Sequence, residues 1–312
     1  MKKQYPEELM FLRNRKQSQK TTTASMNGKR CVITGATSGV GLEATRKLLH
    51  LGASVVMVIR NQTKALAIIE EQFQEYKENI DLVVADMSDL DSVNHAANEL
   101  LNRFDRIDVL IHSAGLHSTK RIVTKVGFEL VFCVNHLAAY LLTERLLERL
   151  KESAPAKILF VNSEGHRFNG LNLQDLHFEK RPYTGLRGYG ASKTAQLLCM
   201  WELHDRLAHT GVCVNAMHPG DVKTHIGSNN GWLYRQFFKY VISRFLKDPV
   251  ISGESIGYLV ADPEMEGVSG KYFHLTMEET PAKHALDREK SKQMDKITRS
   301  LVGLDKKVNG IE

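Results

Sequence analysis

What most constrains this chain is a repeated alternation of short apolar, largely β-branched runs with helix-length amphipathic segments. From Lys29 onward the runs cover 31–34, 54–59, 82–85, 109–113, 158–162 and 212–217, and 271–275 predicts a seventh strand. Runs that are apolar at nearly every position suit strands covered on both faces, and parallel strands need crossovers of the length found between them. The pattern predicts an α/β fold in one domain: a Rossmann-like, doubly wound parallel sheet of about seven strands with helices on both faces. All strand C-termini then lie along one edge, where such a sheet forms its ligand crevice.

The domain is expected over 28–304, behind a flexible or surface-draped, basic leader at 1–27 and ahead of a short tail at 305–312. The leader is too polar to order itself by burying apolar area. Residues 1–30 hold eight Lys/Arg against Glu7 and Glu8, which accounts for the whole formal charge of +6. The remainder is balanced in charge, so no nucleic-acid footprint is expected. The longest apolar stretch of the leader, Leu9 to Leu12, falls far short of the ~20 residues of a spanning helix, and a cytoplasmic protein is expected. Cys31, Cys133, Cys199 and Cys213 lack short paired spacing, which argues against both disulfides and zinc and reads as buried apolar filling. The thirteen histidines show no ligand spacing either, so no metal is expected.

The first run ends Thr34-Gly35-Ala36-Thr37-Ser38-Gly39-Val40-Gly41 and leads into an amphipathic segment. A strand, a glycine turn and a helix in that order make a phosphate cradle: Gly35 for the tight turn, Gly39 for close approach of backbone to pyrophosphate, Gly41 for helix packing. Tyr189-Gly-Ala-Ser-Lys193 opens a later helical stretch and places its phenol and ammonium on one face. A neighbouring ammonium lowers a phenol's pKa from ~10, which suits Tyr189 to acid/base work.

Together these motifs resemble the short-chain dehydrogenase/reductase family, and the resemblance covers about 28–304. The His218-Pro219-Gly220 form, Ser269-Gly-Lys-Tyr-Phe273, Pro281 and Ala285-Leu-Asp287 are similar to its retinol dehydrogenase-like branch. The resemblance implies hydride transfer between a nicotinamide and a small hydrophobic carbonyl or alcohol, such as a retinoid, steroid or other lipid. It implies a site of Asn135, Ser163, Tyr189 and Lys193, with Ser163 and Tyr189 also touching substrate. Cofactor contacts are implied at Thr37, Ser38 and Val40 of the glycine loop, Asp86, Met87, Ser113, Ala114, Gly115, Pro219, Gly220, Val222 and Thr224. His112-Ser113-Ala114-Gly115 departs from the family's Asn-Asn-Ala-Gly. Arg60, beside Asn61, stands where an NAD enzyme holds the ribose with a carboxylate, so NADP is expected and NAD less so. A homodimer through helices near Leu130 to Leu150 and Tyr189 to Leu207 is a further implication. The competing class is a dinucleotide-binding sensor or scaffold without turnover.

Segment 225–250 is expected to form a substrate lid. Gly227 and Gly231 serve as hinges, Trp232 and Phe238 as apolar contacts, and Arg235, Lys239 and Arg244 as a basic side for peripheral membrane contact.

Overall fold

Each apolar run forms a strand, and the computed structural model, which describes residues 17–222 and 248–305, adds a two-residue strand at the end. The strands are β1 (Arg30–Thr34), β2 (Ser54–Ile59), β3 (Ile80–Val84), β4 (Val109–His112), β5 (Ala156–Val161), β6 (Val212–His218), β7 (Lys271–His274) and β8 (Met277–Glu278). They form one sheet in the order β3-β2-β1-β4-β5-β6-β7-β8, parallel except for the antiparallel β7–β8 pair. The expected doubly wound architecture is therefore present, with one more strand than the runs predict. β8 is too short to carry an apolar run.

The helices are α1 (Gly39–His50), α2 (Gln62–Gln72), α3 (Leu90–Arg103), α4 (Leu130–Glu152), α5 (Gly185–Arg206), α6 (Val250–Ala261) and α7 (Arg288–Leu301). Successive strand residues serve opposite faces: Cys31 and Ile33 join one apolar layer, Val32 the other. One layer packs α1, α2 and α6 through Ala44, Leu48, Ile69, Ile256 and Leu259; the other packs α3, α4, α5 and α7 through Leu100, Leu141, Leu198 and Met294. Both faces are buried, which explains why the runs are apolar throughout rather than alternating. Within the first layer, Gly253 brings α6 against α1 so closely that a Cβ there would lie 2.6 Å from the Glu43 carbonyl oxygen.

By length and mean hydropathy α4 could cross a membrane, but 83% of its most apolar window is buried inside the fold, the pattern of a core helix. The helix α7 packs along α5 and reaches α4 through side-chain bonds. His136 Nε2 pairs with Thr298 Oγ1 (2.9 Å), Tyr140 donates to Asp295 (2.7 Å), and Arg299 donates to Glu144 (2.8 Å). A dimer built on these helices has to accommodate α7.

The described part of the leader is not loose. Met26 is buried and its N–H donates to Leu51 O (2.7 Å), Thr22 O accepts from Lys47 Nζ (2.9 Å), and Lys20 N–H and Gln19 Oε1 both bond Thr276. Polar matching to the β7–β8 turn and to α1 holds residues 19–22, and burial of Met26 in the first apolar layer anchors the end of the stretch. Composition alone leaves open whether this stretch is free or draped. The cysteines are all thiols; Cys31, Cys133 and Cys199 are buried as expected, while Cys213 is half-buried.

Candidate active site

The strand order reverses between β1 and β4, so the loops leaving these two strands part in opposite directions and open the crevice. Thr34, the last residue of β1, ties them at the base: its Oγ1 accepts from Ser113 N (3.1 Å) and Ala114 N (3.0 Å). Gly35 then turns at φ +70°, and a Cβ on it would sit 2.8 Å from Ala114 Cα. A Cβ on Gly41 would sit 2.4 Å from the Gly35 carbonyl oxygen. Both glycines are required by backbone contact, not only by flexibility.

Ser38 caps α1 without a side-chain bond, and no acidic residue stands in the first turn. Its leading N–H groups therefore present an uncompensated partial positive charge at the crevice. Thr37, Ser38 and Gly39 are half-buried around it, with Val40 and Gly41 beneath. This cradle and its polarity fit a dinucleotide phosphate.

Of the outlying cofactor positions, Arg60 is exposed just beyond β2. Asn61, also exposed, caps α2, its Oδ1 accepting from Lys64 N at 2.9 Å. Asp86 Oδ1 accepts from Ser88 N–H (2.9 Å) and Ser88 Oγ (2.7 Å); the cap of α3 is Asp89, so Asp86 is left at the strand edge beside buried Met87. Past β6, Pro219 O accepts from Ser252 Oγ (2.6 Å), Gly220 turns at φ +82° and Val222 is buried. Thr224, Trp232, Phe238 and segment 225–247 of the expected lid lie outside the described residues.

Ser163 follows β5 and caps the short helical turn Glu164–Phe168, with its Oγ accepting from Gly165 N (3.0 Å). That bond leaves the hydroxyl proton free to donate forward, and Ser163 hydrogen-bonds the Tyr189 side chain. Gly165 packs on the Tyr189 ring, where a Cβ would come within 2.7 Å. Burial pushes the Tyr189 phenol up to about 12, against the pull of Ser163. One helical turn on, Lys193 is buried, donates from Nζ to Val161 O (2.8 Å) and lies 5.7 Å from the Tyr189 ring centre. Burial lowers its ammonium to about 7. Asn135 lies in a π-helical turn of α4, Cys133–Leu137, and its side chain clamps the Leu116 N–H (2.8 Å) and carbonyl (3.0 Å), with Nδ2 also donating to Ser192 Oγ (3.0 Å).

The four residues expected from the motifs are thus brought together at the sheet's carboxyl edge. Sequence reading missed four of their neighbours. His117 meets the Tyr189 ring edge-on, centres 5.7 Å apart. His166 joins the Ser163 carbonyl (Nδ1, 2.7 Å) to Ala282 N–H (Nε2, 3.1 Å), so its proton resides on Nδ1. Asn162 and Gln196 form a buried amide pair. The His117–Tyr189, His166–Ala282 and Asn162–Gln196 contacts do not follow from spacing, since each joins separate elements.

Among the described residues, Glu164, His274 and Glu279 come close enough to resemble metal ligands. The cation already there is Arg167, which bonds both carboxylates, while Tyr272 donates to Glu164 (2.9 Å).

The profile of the short chain dehydrogenase family matches residues 29–231. Human retinol dehydrogenase 14 is 36% identical over 295 residues, covering 89% of this chain and 88% of that protein. A crystal structure of a Mycobacterium paratuberculosis protein superposes with a TM-score of 0.73 at 25% identity, over 91% of this chain and 98% of its own. A 3-ketoacyl-(acyl-carrier-protein) reductase from Brucella melitensis, complexed with NADH, gives 0.61 at 25% identity, over 80% and 97%.

Proposed function

The chain belongs to the short chain dehydrogenase family, and on that premise we propose that Tyr189 is the proton donor and acceptor for hydride transfer between NADP(H) and a hydrophobic carbonyl or alcohol. NAD(P)-dependent oxidoreduction at a CH–OH group comes with the family. The observation that carries the finer reading is the convergence of half-buried Ser163 and Tyr189 with buried Lys193 in one cluster.

In the reductive direction, hydride for the carbonyl carbon would come from a reduced nicotinamide dinucleotide held in the crevice. The Tyr189 hydroxyl gives its proton to the carbonyl oxygen, which becomes the alcohol, and solvent replaces that proton. Ser163 Oγ donates to the same oxygen as negative charge develops there. Lys193 stabilises the phenolate left behind, and Asn135 holds the Leu116 backbone beside the site. The glycine loop, Ser113, Ala114 and Gly115 would hold the dinucleotide. Arg60 would take its 2′-phosphate, since Arg60-Asn61-Gln62 contains no carboxylate to hold a free ribose.

The lipid-like substrate class rests on the resemblance to human retinol dehydrogenase 14 and on the aromatic, apolar character of segment 225–250. Cytoplasmic placement and peripheral membrane contact through the basic leader belong to the same proposal, and flotation with anionic vesicles tests the contact. The activity is tested by following NADPH and NADH consumption across a panel of retinoid, steroid and fatty carbonyls. Turnover with NADPH at the lower KM supports the proposal. Tight dinucleotide binding with no turnover across the panel would support the sensor reading instead.

A further inference from the structure

Two buried primary amides, Asn162 and Gln196, stand next to the reacting groups and are joined to each other by one side-chain bond. Asn162 follows β5, Gln196 lies in α5, and both are buried. Asn162 Oδ1 accepts from Ser163 N–H (2.8 Å). Its Nδ2 donates to the Lys193 carbonyl (3.0 Å) and to Gln196 Oε1 (2.8 Å). Gln196 Nε2 then donates to the Asn135 carbonyl in the π-helical turn (3.0 Å).

The chain of bonds has one direction. Flipping the Asn162 amide would set N–H against the Ser163 N–H and oxygen against the Lys193 carbonyl. Flipping Gln196 would set oxygen against the Asn135 carbonyl. Each flip leaves buried groups unsatisfied, so the orientation is fixed by its termini. The termini are the backbone groups of Ser163, Lys193 and Asn135, which belong to three separate elements.

We infer that Asn162 and Gln196 are positioning residues for the proposed hydride transfer, a relay that sets the backbone of Ser163, Lys193 and Asn135 relative to one another. They act through those backbones and not on the substrate. The inference rests on the reading of Tyr189 and Ser163 given above. A surface or merely space-filling amide would not need its polarity; this pair does, because apolar replacement of either leaves a buried carbonyl or N–H without a partner at the reacting end.

The test is Gln196→Met, which keeps the length of the side chain and removes both polar ends. Misplacement of reacting groups by a fraction of an ångström should lower kcat roughly ten- to hundredfold, while KM and dinucleotide affinity stay within about twofold because neither contacts the relay. Asn162→Ser carries the same expectation should Gln196→Met not fold. The double variant should lose little more than either single one, since one broken link opens the whole relay. The paired exchange Asn162→Gln with Gln196→Asn should recover turnover that either exchange alone loses.

A readout free of turnover is the Tyr189 phenol, taken as the difference in absorbance titration between the parent and Tyr189→Phe with bound dinucleotide. Loss of the Ser163 contact in Gln196→Met should move its midpoint up by about one pH unit. Unchanged kcat with an unchanged phenol midpoint would overturn the inference. If the parent turns over no carbonyl, the functional reading fails and the phenol midpoint alone decides the relay.

Discussion

Replacing Lys193 by Met should make the protein more stable and inactive at once. Burial lowers the ammonium from 10.5 to about 7, so below pH 7 the folded protein carries a buried charge that the unfolded chain holds at no cost. The displacement corresponds to roughly 5 kcal/mol against folding. Between about 7 and 10.5 the unfolded chain binds one more proton than the folded one, and stability of the parent rises with pH by about 1.4 kcal/mol per unit. Methionine removes the charge with little change in volume, but it leaves the Val161 carbonyl, now bonded by Nζ at 2.8 Å, without a donor, an offset of about 1–3 kcal/mol. The variant should therefore exceed the parent by about 2–4 kcal/mol at pH 7, with the gap narrowing by about 1.4 kcal/mol per unit above that. Urea unfolding of both proteins at pH 7, 8 and 9 measures the difference directly, because contributions common to both cancel. A variant less stable than the parent, or a gap that stays constant over this range, would refute the reasoning.

Arg60→Asp should weaken NADPH binding at least roughly tenfold, with NADH binding unchanged or improved, since it removes one charge-assisted pair and supplies a ribose ligand; titration of protein fluorescence with each dinucleotide checks it. Gly41→Ala should abolish tight dinucleotide binding and lower the melting temperature, because its Cβ would stand 2.4 Å from the Gly35 carbonyl oxygen, a backbone contact that no rotamer relieves. Calorimetry with and without dinucleotide separates the two effects.

The sheet was legible because its central strands are buried on both faces, which writes an uninterrupted apolar run into the sequence. The Gly35–Gly41 turn and the Tyr189–Lys193 pair were legible because their chemistry is local: a turn, or one helical turn. Asn61 shows the limit of such reading. Its position beside Arg60 suggests a cofactor contact, yet an asparagine ahead of a helix also caps it, and the bond to Lys64 N–H occupies its oxygen. The relay of Asn162 and Gln196, and the cluster of Arg167 with Glu164 and Glu279, join residues from distant parts of the chain and depend on how β5, α5 and β7 pack. No spacing encodes them. Gln19, Lys20 and Thr22 lie draped on the domain, one of the two readings their composition left open, because polar residues can be ordered by matched partners as well as by burial.

The central claim is that Tyr189 moves the proton while other groups hold the dinucleotide. The measurement that tests it most directly is the single-turnover rate of Tyr189→Phe with a carbonyl substrate found by the panel, alongside its Kd for NADPH. Loss of the hydroxyl that Ser163 contacts should reduce the rate by about a hundredfold or more while Kd stays within about twofold, because the phenol is not among the groups at the α1 terminus that would hold the phosphates. Turnover near the parental rate in the Phe variant would contradict the account.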